Sequence, residues 1–587
     1  MTVVSDLRER VRGREQVAAV DAREPWPWRI PGGLSRHAVA LAIVLFALLT
    51  MLDNGTMITA DEGALLSQAQ IARSGNWGMA NPMPTVDPSG KWFGIESSDL
   101  VGGRFFPYAK HATYPAVMSP LLSLGGLRLV LAASVAATVA AAVLAALLAR
   151  RFSRHLDIAT LWIVGLASPL FFDGYMVAAH SIGAALAVLA VYSIVCWWNA
   201  RSWSWLAGSA VGLSGAVLFR SEGMLLGVAL AATIGVIALL RRDRVAVLVG
   251  GVIGALTVAT WWLDGVIHSH IVGGAQVAYV VDDNVTPWLE GRADGAYASL
   301  LRPQLAGVST RGILLFGVIA AAVLGAFYAR HRPTERIIIR GAASAVVVGS
   351  LLIALFQASP IPGLLIAFPL LTVGLATLGS AQFRSLHAQI VAGTAVVYTA
   401  GIIATQYSIG GGMEWGGRFF HMILPLVVPL VLAALGSAHQ QLDRVTARAS
   451  AVSLAAITIV VFVISVGTIL RIHDITAELV DRVHEVSATT ASARDPRGPI
   501  VASNLPSLGR FAWRDAVRSR YLMVPSSDLV ELDARLADDG VDDFVFAAAH
   551  DGAHDVASLT HFAPDVSRTV TVGDWQLYVM RRARPTP

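Results

Sequence analysis

Charge is scarce in this 587-residue sequence: charged residues make up 14% and hydrophobic residues 55%, where soluble domains carry about 25% charge. A soluble enzyme is excluded. The 44 basic and 40 acidic residues leave a net charge of only +4, too little for electrostatic binding of nucleic acid to be a leading idea. Cysteine occurs once, at Cys196, which rules out an intrachain disulfide and any cysteine-only metal site. Lysine occurs twice, at Lys91 and Lys110, and arginine supplies all the other basic residues.

What is abundant is apolar sequence, in blocks near the ~20 residues that cross a bilayer as helix. Thirteen spans are expected, at 38–58, 129–148, 158–172, 178–198, 205–219, 224–240, 245–263, 313–328, 341–357, 361–378, 390–407, 420–435 and 451–470. Arginines recur in alternate short turns (Arg150/Arg151/Arg154, Arg201, Arg241/Arg242/Arg244, Arg330/Arg332/Arg336, Arg384, Arg444/Arg448), in phase with an arginine-rich N-terminal segment. Basic residues are retained on the cytoplasmic side, so the N-terminus is expected inside and, with an odd count, the C-terminus outside. The fold expected is a polytopic α-helical membrane protein with a small extracytoplasmic α/β domain. Residues 1–36 form the cytoplasmic segment, 37–471 the membrane module with outer loops 59–128 and 264–312, and 472–587 the outer domain. In that domain strands are expected at 500–502, 521–524 and 544–546, with a hairpin at Gly573-Asp574 and a helix over 527–537.

The candidate chemistry lies in the outer segments. Asp61-Glu62 follows the first span and opens a stretch able to form a short interfacial helix with Leu65, Ala69 and Ala72 on one face. One of these carboxylates suits a general base, whose proton affinity burial can tune; an acidic cap on the positive end of the helix fits the same residues. Lys110, in Pro107-Tyr108-Ala109-Lys110-His111-Ala112-Thr113-Tyr114-Pro115, offers a compact ammonium to a phosphate oxygen or to a lipid headgroup. Arg220-Ser221-Glu222-Gly223 interrupts an apolar run where two spans meet, and ionisable groups so near hydrocarbon are costly unless paired or wet. A functional pair and a pair that closes a turn both remain open there. The glycine-rich run Gly410 to Gly417 and Arg418 enters a later span from the same side. Its glycines allow close approach to a ligand, Trp415 offers a stacking face, Glu414 a carboxylate and Arg418 bidentate contact to phosphate. His268 and His270, with Asp264 or Asp282/Asp283, are of metal-ligating type, but histidines at i and i+2 point apart on a helix, and an ordinary polar loop is the other reading.

In this order and on one side of the membrane, these elements resemble the GT-C glycosyltransferase superfamily, in the branch holding protein O-mannosyltransferases and the aminoarabinose transferase of lipid A. The likeness is carried by Asp61-Glu62, Ser74-Gly75-Asn76-Trp77, Lys110 with Tyr114-Pro115, Arg220-Ser221-Glu222-Gly223 and Trp415-Gly416-Gly417-Arg418. Where the family has Lys-Pro-Pro-Leu, this chain reads Lys110-His111-Ala112-Thr113-Tyr114-Pro115. The resemblance implies transfer of one sugar, with inversion, from a polyprenyl-phosphate donor to a hydroxyl of an envelope glycan, lipid or protein at the outer face of a bacterial cytoplasmic membrane. It implies Asp61 as base, with Glu62 orienting the acceptor or substituting. Arg418, Arg220 and Lys110 would hold the donor phosphate, and His111, Tyr114, Glu222, Glu414 and Trp415 would shape the sugar and acceptor pocket. Family members differ in metal use and no clear ligand set is visible, so no cofactor is assigned and the need for a divalent metal stays open. The partners implied are the lipid-linked donor, the acceptor and membrane lipids, without nucleic acid. Alanine- and arginine-rich, lysine-poor usage resembles that of GC-rich bacteria such as actinobacteria, which makes arabinofuranose or mannose the expected sugar.

Two other classes fit the composition. A transporter or lipid-linked-sugar flippase would gather ionisable groups near the bilayer midplane, often in repeated halves, whereas here they collect at one face. A non-catalytic scaffold would make the loop carboxylates dispensable.

Overall fold

The computed structural model describes residues 30–52, 57–95, 100–108, 110–273, 288–301, 363–405, 411, 415–505, 507–549, 552–573 and 575–583. The expected spans at 313–328 and 341–357 lie outside the described residues. Seven described helices are long and apolar enough to cross a membrane, and the chain is an integral membrane protein. Six of the seven are α1 (Gly32–Leu52), α3 (Thr113–Arg150), α4 (His180–Ala200), α6 (Glu222–Arg241), α7 (Arg244–Val272) and α8 (Leu386–Thr405); the seventh, Arg418–His439, contains α9 (Leu424–His439). The shorter α2 (Ala60–Ala72) and α5 (Trp203–Phe219) complete the part that positions the site.

Local chemistry explains the ends of these helices. α4 and α6 close on Arg201 and Arg242 in the left-handed conformation, with φ of 49° and 55°. The Arg201 guanidinium lies 4.5 Å from the Trp197 ring and pairs with Asp243, the N-cap of α7, which accepts from the Ala246 amide at 3.1 Å. Arginines in the short turns therefore also finish helices. Gly126, at φ 65°, kinks α3.

Three expectations change. The span expected at 361–378 forms two short helices, Leu364–Ala367 and Pro369–Thr377, broken at Phe368 before Pro369. Residues 158–172 form no crossing helix: Asp157–Trp162 gives way to a wide turn at Ile163–Ala167 and a short helix at Leu170–Asp173. Extended Ser168 before Pro169 breaks the run, because a residue preceding proline avoids helical backbone. At the other end, the helix expected to stop at 470 continues as α10 (Arg444–Ala488). Leu479, Val483 and Val486 extend its apolar stripe and bury it on the C-terminal sheet, so the boundary expected at 472 falls inside the helix.

The C-terminal sheet contains β3 (Ile500–Ser503), β4 (Arg520–Met523), β5 (Asp543–Ala549), β6 (Phe562–Pro564), β7 (Val570–Val572) and β8 (Trp575–Arg582). Its order is β4-β3-β5-β8-β6, with β7 also on β8; β4, β3 and β5 run parallel and the rest pair antiparallel. Alternation sorts β5, with Phe544, Phe546 and Ala548 facing helix α11 (Leu529–Asp538), and Val545 and Ala547 facing α10. The loop between α1 and α3 contributes β1 (Met79–Ala80), reaches over this sheet at residues 91–93, and then forms β2 (Arg104–Phe105), which pairs back with β1. Trp92, fully buried, donates from its indole to Asp528 at 3.1 Å, and Lys91 pairs with Asp528 and Glu531 at 3.0 and 2.9 Å. These contacts fasten the loop to the C-terminal region. Trp92→Ala is expected to cost about 3–5 kcal/mol of the stability of this region, measured as a lowered unfolding midpoint of the detergent-solubilised protein; an unchanged midpoint would contradict the buried anchor.

Candidate active site

Helix α2 begins with Thr59 as N-cap and Glu62 at its third position, the spacing of a capping box. One Glu62 oxygen accepts from the Ile58 and Thr59 amides at 2.9 and 2.7 Å, and the other accepts from the Val177 amide at 2.7 Å. Glu62 is 1% exposed. Its carboxylate thus bonds backbone from two separate segments and orients the helix. Successive helical residues diverge by about 100°, so Asp61 faces elsewhere. Its Oδ2 accepts from Arg418 Nη1 at 3.0 Å, and its Oδ1 lies 3.7 Å from Arg510 Nη1.

Arg418 arrives by a turn that only glycine permits comfortably. Gly416 and Gly417 have φ of 73° and 66°, and a Cβ on Gly417 would sit 2.1 Å from the Ser299 carbonyl oxygen. These two glycines make a packed turn, in place of the open approach to a ligand expected from the sequence. His421 locks the turn from below. Its Nε2 faces the Gly416 carbonyl at 3.1 Å and its Nδ1 faces Asp173 Oδ2 at 2.7 Å, with both side chains 1% exposed. A carbonyl only accepts, so Nε2 is the nitrogen that donates to Gly416. The Tyr398 hydroxyl donates to the Phe419 carbonyl at 2.7 Å, fixing the other side of Arg418.

Trp415 is 4% exposed and stacked on Phe172, ring centroids 5.3 Å apart. The structure places its ring in packing, where the sequence led to the expectation of a face for a sugar. Glu414 lies outside the described residues.

Arg220 extends from the α5–α6 turn. Its Nε donates to Glu222 at 3.1 Å, its Nη2 makes a second bond to the same carboxylate, and its Nη1 reaches His180 Nε2 at 3.3 Å. Glu222 thereby holds a guanidinium. Gln68, two turns after Asp61 on the same face of α2, accepts from the Tyr108 amide at 3.2 Å and donates to the Trp77 carbonyl at 2.6 Å. This hangs the 107–111 loop over α2, with Lys110 Nζ 5.5 Å above the Tyr108 ring. His111 pairs with Asp264 at 3.0 Å, and Tyr114 is buried edge-on to Phe219. Both lie in the segment that follows Lys110, where the structure gives them these partners.

The half-buried phenol of Tyr108 marks where these groups converge. Burial pushes it up to about 12; nearby Lys110, Arg220 and Arg418 pull it down and Asp61 pushes it up. Arg220 is also within electrostatic range of Arg418. The space shared by Asp61, Tyr108, Lys110, Arg220 and Arg418, with Arg510 at its edge, has four cations against the carboxylates of Asp61 and Glu222. That surplus suits an anion. It does not suit a divalent cation, because the neighbours of Asp61 are guanidinium groups. Among the described residues no three His, Cys, Asp or Glu side chains gather as a metal site would need, and Asp264 is occupied by His111.

The sequence reading missed Tyr108, His180, His421, Asp173 and Arg510. The first could have been found from its place beside Lys110. Arg510 carries no sequence signal and reaches Asp61 only through the fold.

No protein-family model matches the chain, nor does any curated protein. Among solved structures the chain is similar to ArnT from Cupriavidus metallidurans bound to undecaprenyl phosphate, with 14% identity over 95% of this chain and 100% of that chain and a TM-score of 0.48. It is also similar to ArnT from the same organism in the apo state, with 16% identity over 93% and 98% and a TM-score of 0.44. At these values neither likeness bears on function, which is argued from the site.

The folded value of Tyr108 lies above its ordinary 10, so the stabilisation of its neutral form is complete below pH 10 and is lost as pH rises toward 12. The tyrosinate absorbance that disappears in Tyr108→Phe is expected to titrate near 12. A transition near the ordinary value would show that the phenol is not enclosed.

Proposed function

We propose that this protein is a membrane glycosyltransferase of the GT-C type, which moves one sugar from a polyprenyl-phosphate donor to a hydroxyl with inversion at the anomeric carbon. One observation carries the reading: a partly exposed carboxylate, Asp61, faces Arg418 in a cation-rich space shared with Lys110 and Arg220. A phosphate on a lipid tail must present itself at a membrane boundary, and these cations can neutralise the charge that develops on it as it leaves. The order of the motifs along the chain supports the same reading.

The chemistry follows from the charges. The acceptor oxygen attacks the anomeric carbon, the bond from that carbon to the phosphate oxygen breaks, and the electron pair leaves with the phosphate. The hydroxyl proton goes to Asp61. An arriving donor phosphate competes with Asp61 for Arg418, and drawing that guanidinium away frees the Asp61 oxygen to take the hydroxyl proton. Tyr108, neutral at physiological pH, donates a hydrogen bond to the phosphate or sugar. His421 and Asp173 position Arg418 through the Gly416 turn.

The site opens at the outer face in this reading, with the N-terminus cytoplasmic and the C-terminal sheet outside. Arabinofuranose or mannose is the proposed sugar class, on the lysine-poor, arginine-rich composition, and an envelope glycan, lipid or protein supplies the hydroxyl.

Asp61→Asn is expected to reduce transfer from a labelled polyprenyl-phosphate sugar in reconstituted vesicles by about 10²–10⁴-fold, while donor binding persists. Wild-type activity in this variant would exclude Asp61 as the base. Arg510→Ala is expected to retain transfer at a rate lowered about 10-fold, because Asp61 loses the guanidinium 3.7 Å from its Oδ1; an unchanged rate would show that Arg510 does not act on Asp61.

A further inference from the structure

A second cation-lined space lies at the far end of the helix that carries Asp61. It is an open cleft of about 610 Å³, whose walls include Gln70, Arg73, Ser74, Asn76, Arg104 and Arg518. That volume is in the range of small-ligand sites. None of the described residues lining it is acidic, and among the described residues none of its three arginines has a carboxylate partner. Arg104 is held by Asn76, whose Oδ1 accepts from Nη1 at 3.4 Å, while the Asn76 amide donates to the Ser74 hydroxyl at 3.3 Å. Gly78 lets that arrangement close: a Cβ there would lie 2.9 Å from Arg104 Cβ. Three guanidinium groups beside amide and hydroxyl side chains match a ligand carrying both phosphate and hydroxyls.

The cleft and the Asp61 site are two ends of one rigid track. α2 packs along residues 508–518 so closely that a Cβ on Gly63 would lie 1.7 Å from the Arg510 carbonyl oxygen. Arg510 therefore stands beside Asp61, and Arg518 stands beside Gln70 and Arg73 at the other end. The separation along the helix is about 14 Å, nine residues at 1.5 Å each. A saccharide a few units long spans it.

We propose that this cleft binds a phosphate group of the acceptor saccharide, setting which hydroxyl reaches Asp61. The proposal rests on the transferase reading for the word acceptor, whereas the anion site itself does not. The phosphate could come from a soluble glycan or from a lipid headgroup; the chemistry recognised is the same.

The test is calorimetric titration of inorganic pyrophosphate into the full-length protein in phosphatidylcholine nanodiscs. Two classes of binding are expected, one in the cleft and one at Arg418. The double variant Arg104→Ala/Arg518→Ala is expected to weaken one class about 10- to 100-fold, as loss of charge-assisted bonds predicts, and to leave the other. Lysine at both positions should restore much of the binding, which separates lost charge from lost folding. Arg418→Ala should remove only the other class. If the double alanine variant keeps both classes, the cleft proposal is overturned. If Arg418→Ala keeps both, the donor-site reading fails while the cleft stands. Repeating the titration in phosphatidylglycerol nanodiscs separates the two sources: weakened cleft binding identifies a lipid headgroup as competitor, and unchanged binding points to a soluble phosphosaccharide.

Discussion

The arrangement depends on one buried carboxylate. Glu62 is withdrawn from water, and ionised groups in such places are tolerated only when hydrogen-bonded. Three backbone amides satisfy it, two from the start of its own helix and one from Val177 between the membrane helices. Charge-assisted bonds of this kind are strong and directional, so they set both where α2 begins and how it is rotated about its axis. The direction of Asp61 and the placement of Gln68 and of the Lys110 loop hanging from it all follow from that rotation. An apolar residue at position 62 would leave three amides unpaired and release the helix.

Around Asp61 the protein has assembled guanidinium groups from three otherwise unrelated places: the turn between two membrane helices, the glycine turn before another, and the C-terminal sheet region. Each is held by a different device. Arg220 is clamped by Glu222 and His180. Arg418 is set by the left-handed Gly416-Gly417 turn, the His421–Asp173 pair beneath it and the Tyr398 hydroxyl beside it. Arg510 is brought in by the close contact of its own backbone with Gly63. Such preorganisation matters for catalysis because charges fixed before the reaction need not be rearranged during it. The C-terminal region is accordingly part of the site, and the loop carrying Lys91 and Trp92 ties it down.

Much of the frame was legible because local rules govern it. Apolar blocks gave α1, α4, α6, α7 and the core of α3, and turn arginines marked helix ends. Alternation of apolar residues located β3, β4 and β5 to within a residue or two at most ends. The rule failed where a proline intervened, as at Ser168-Pro169, and where an apolar stripe changed partner without ending, as α10 passes from membrane helices to the sheet. At the site, the spacing from Thr59 to Glu62 could have separated the two carboxylates, since a capping box assigns the second to the backbone. For Trp415, Tyr114, His111 and Glu222 residue type suggests what a side chain can do, whereas only packing shows the neighbour each one touches.

The sequence by itself determined that the chain lives in a membrane, where most of its apolar helices lie, and that acidic and basic groups collect in the segments between them. These are short-range properties, written in periodicity and caps. Only the tertiary structure decided which carboxylate faces the cations, that Tyr108 lies at their centre, and that Arg510 joins them from the far end of the chain. Such contacts arise where two surfaces pack, as Gly63 does on the Arg510 backbone, and no local pattern in either segment encodes the other.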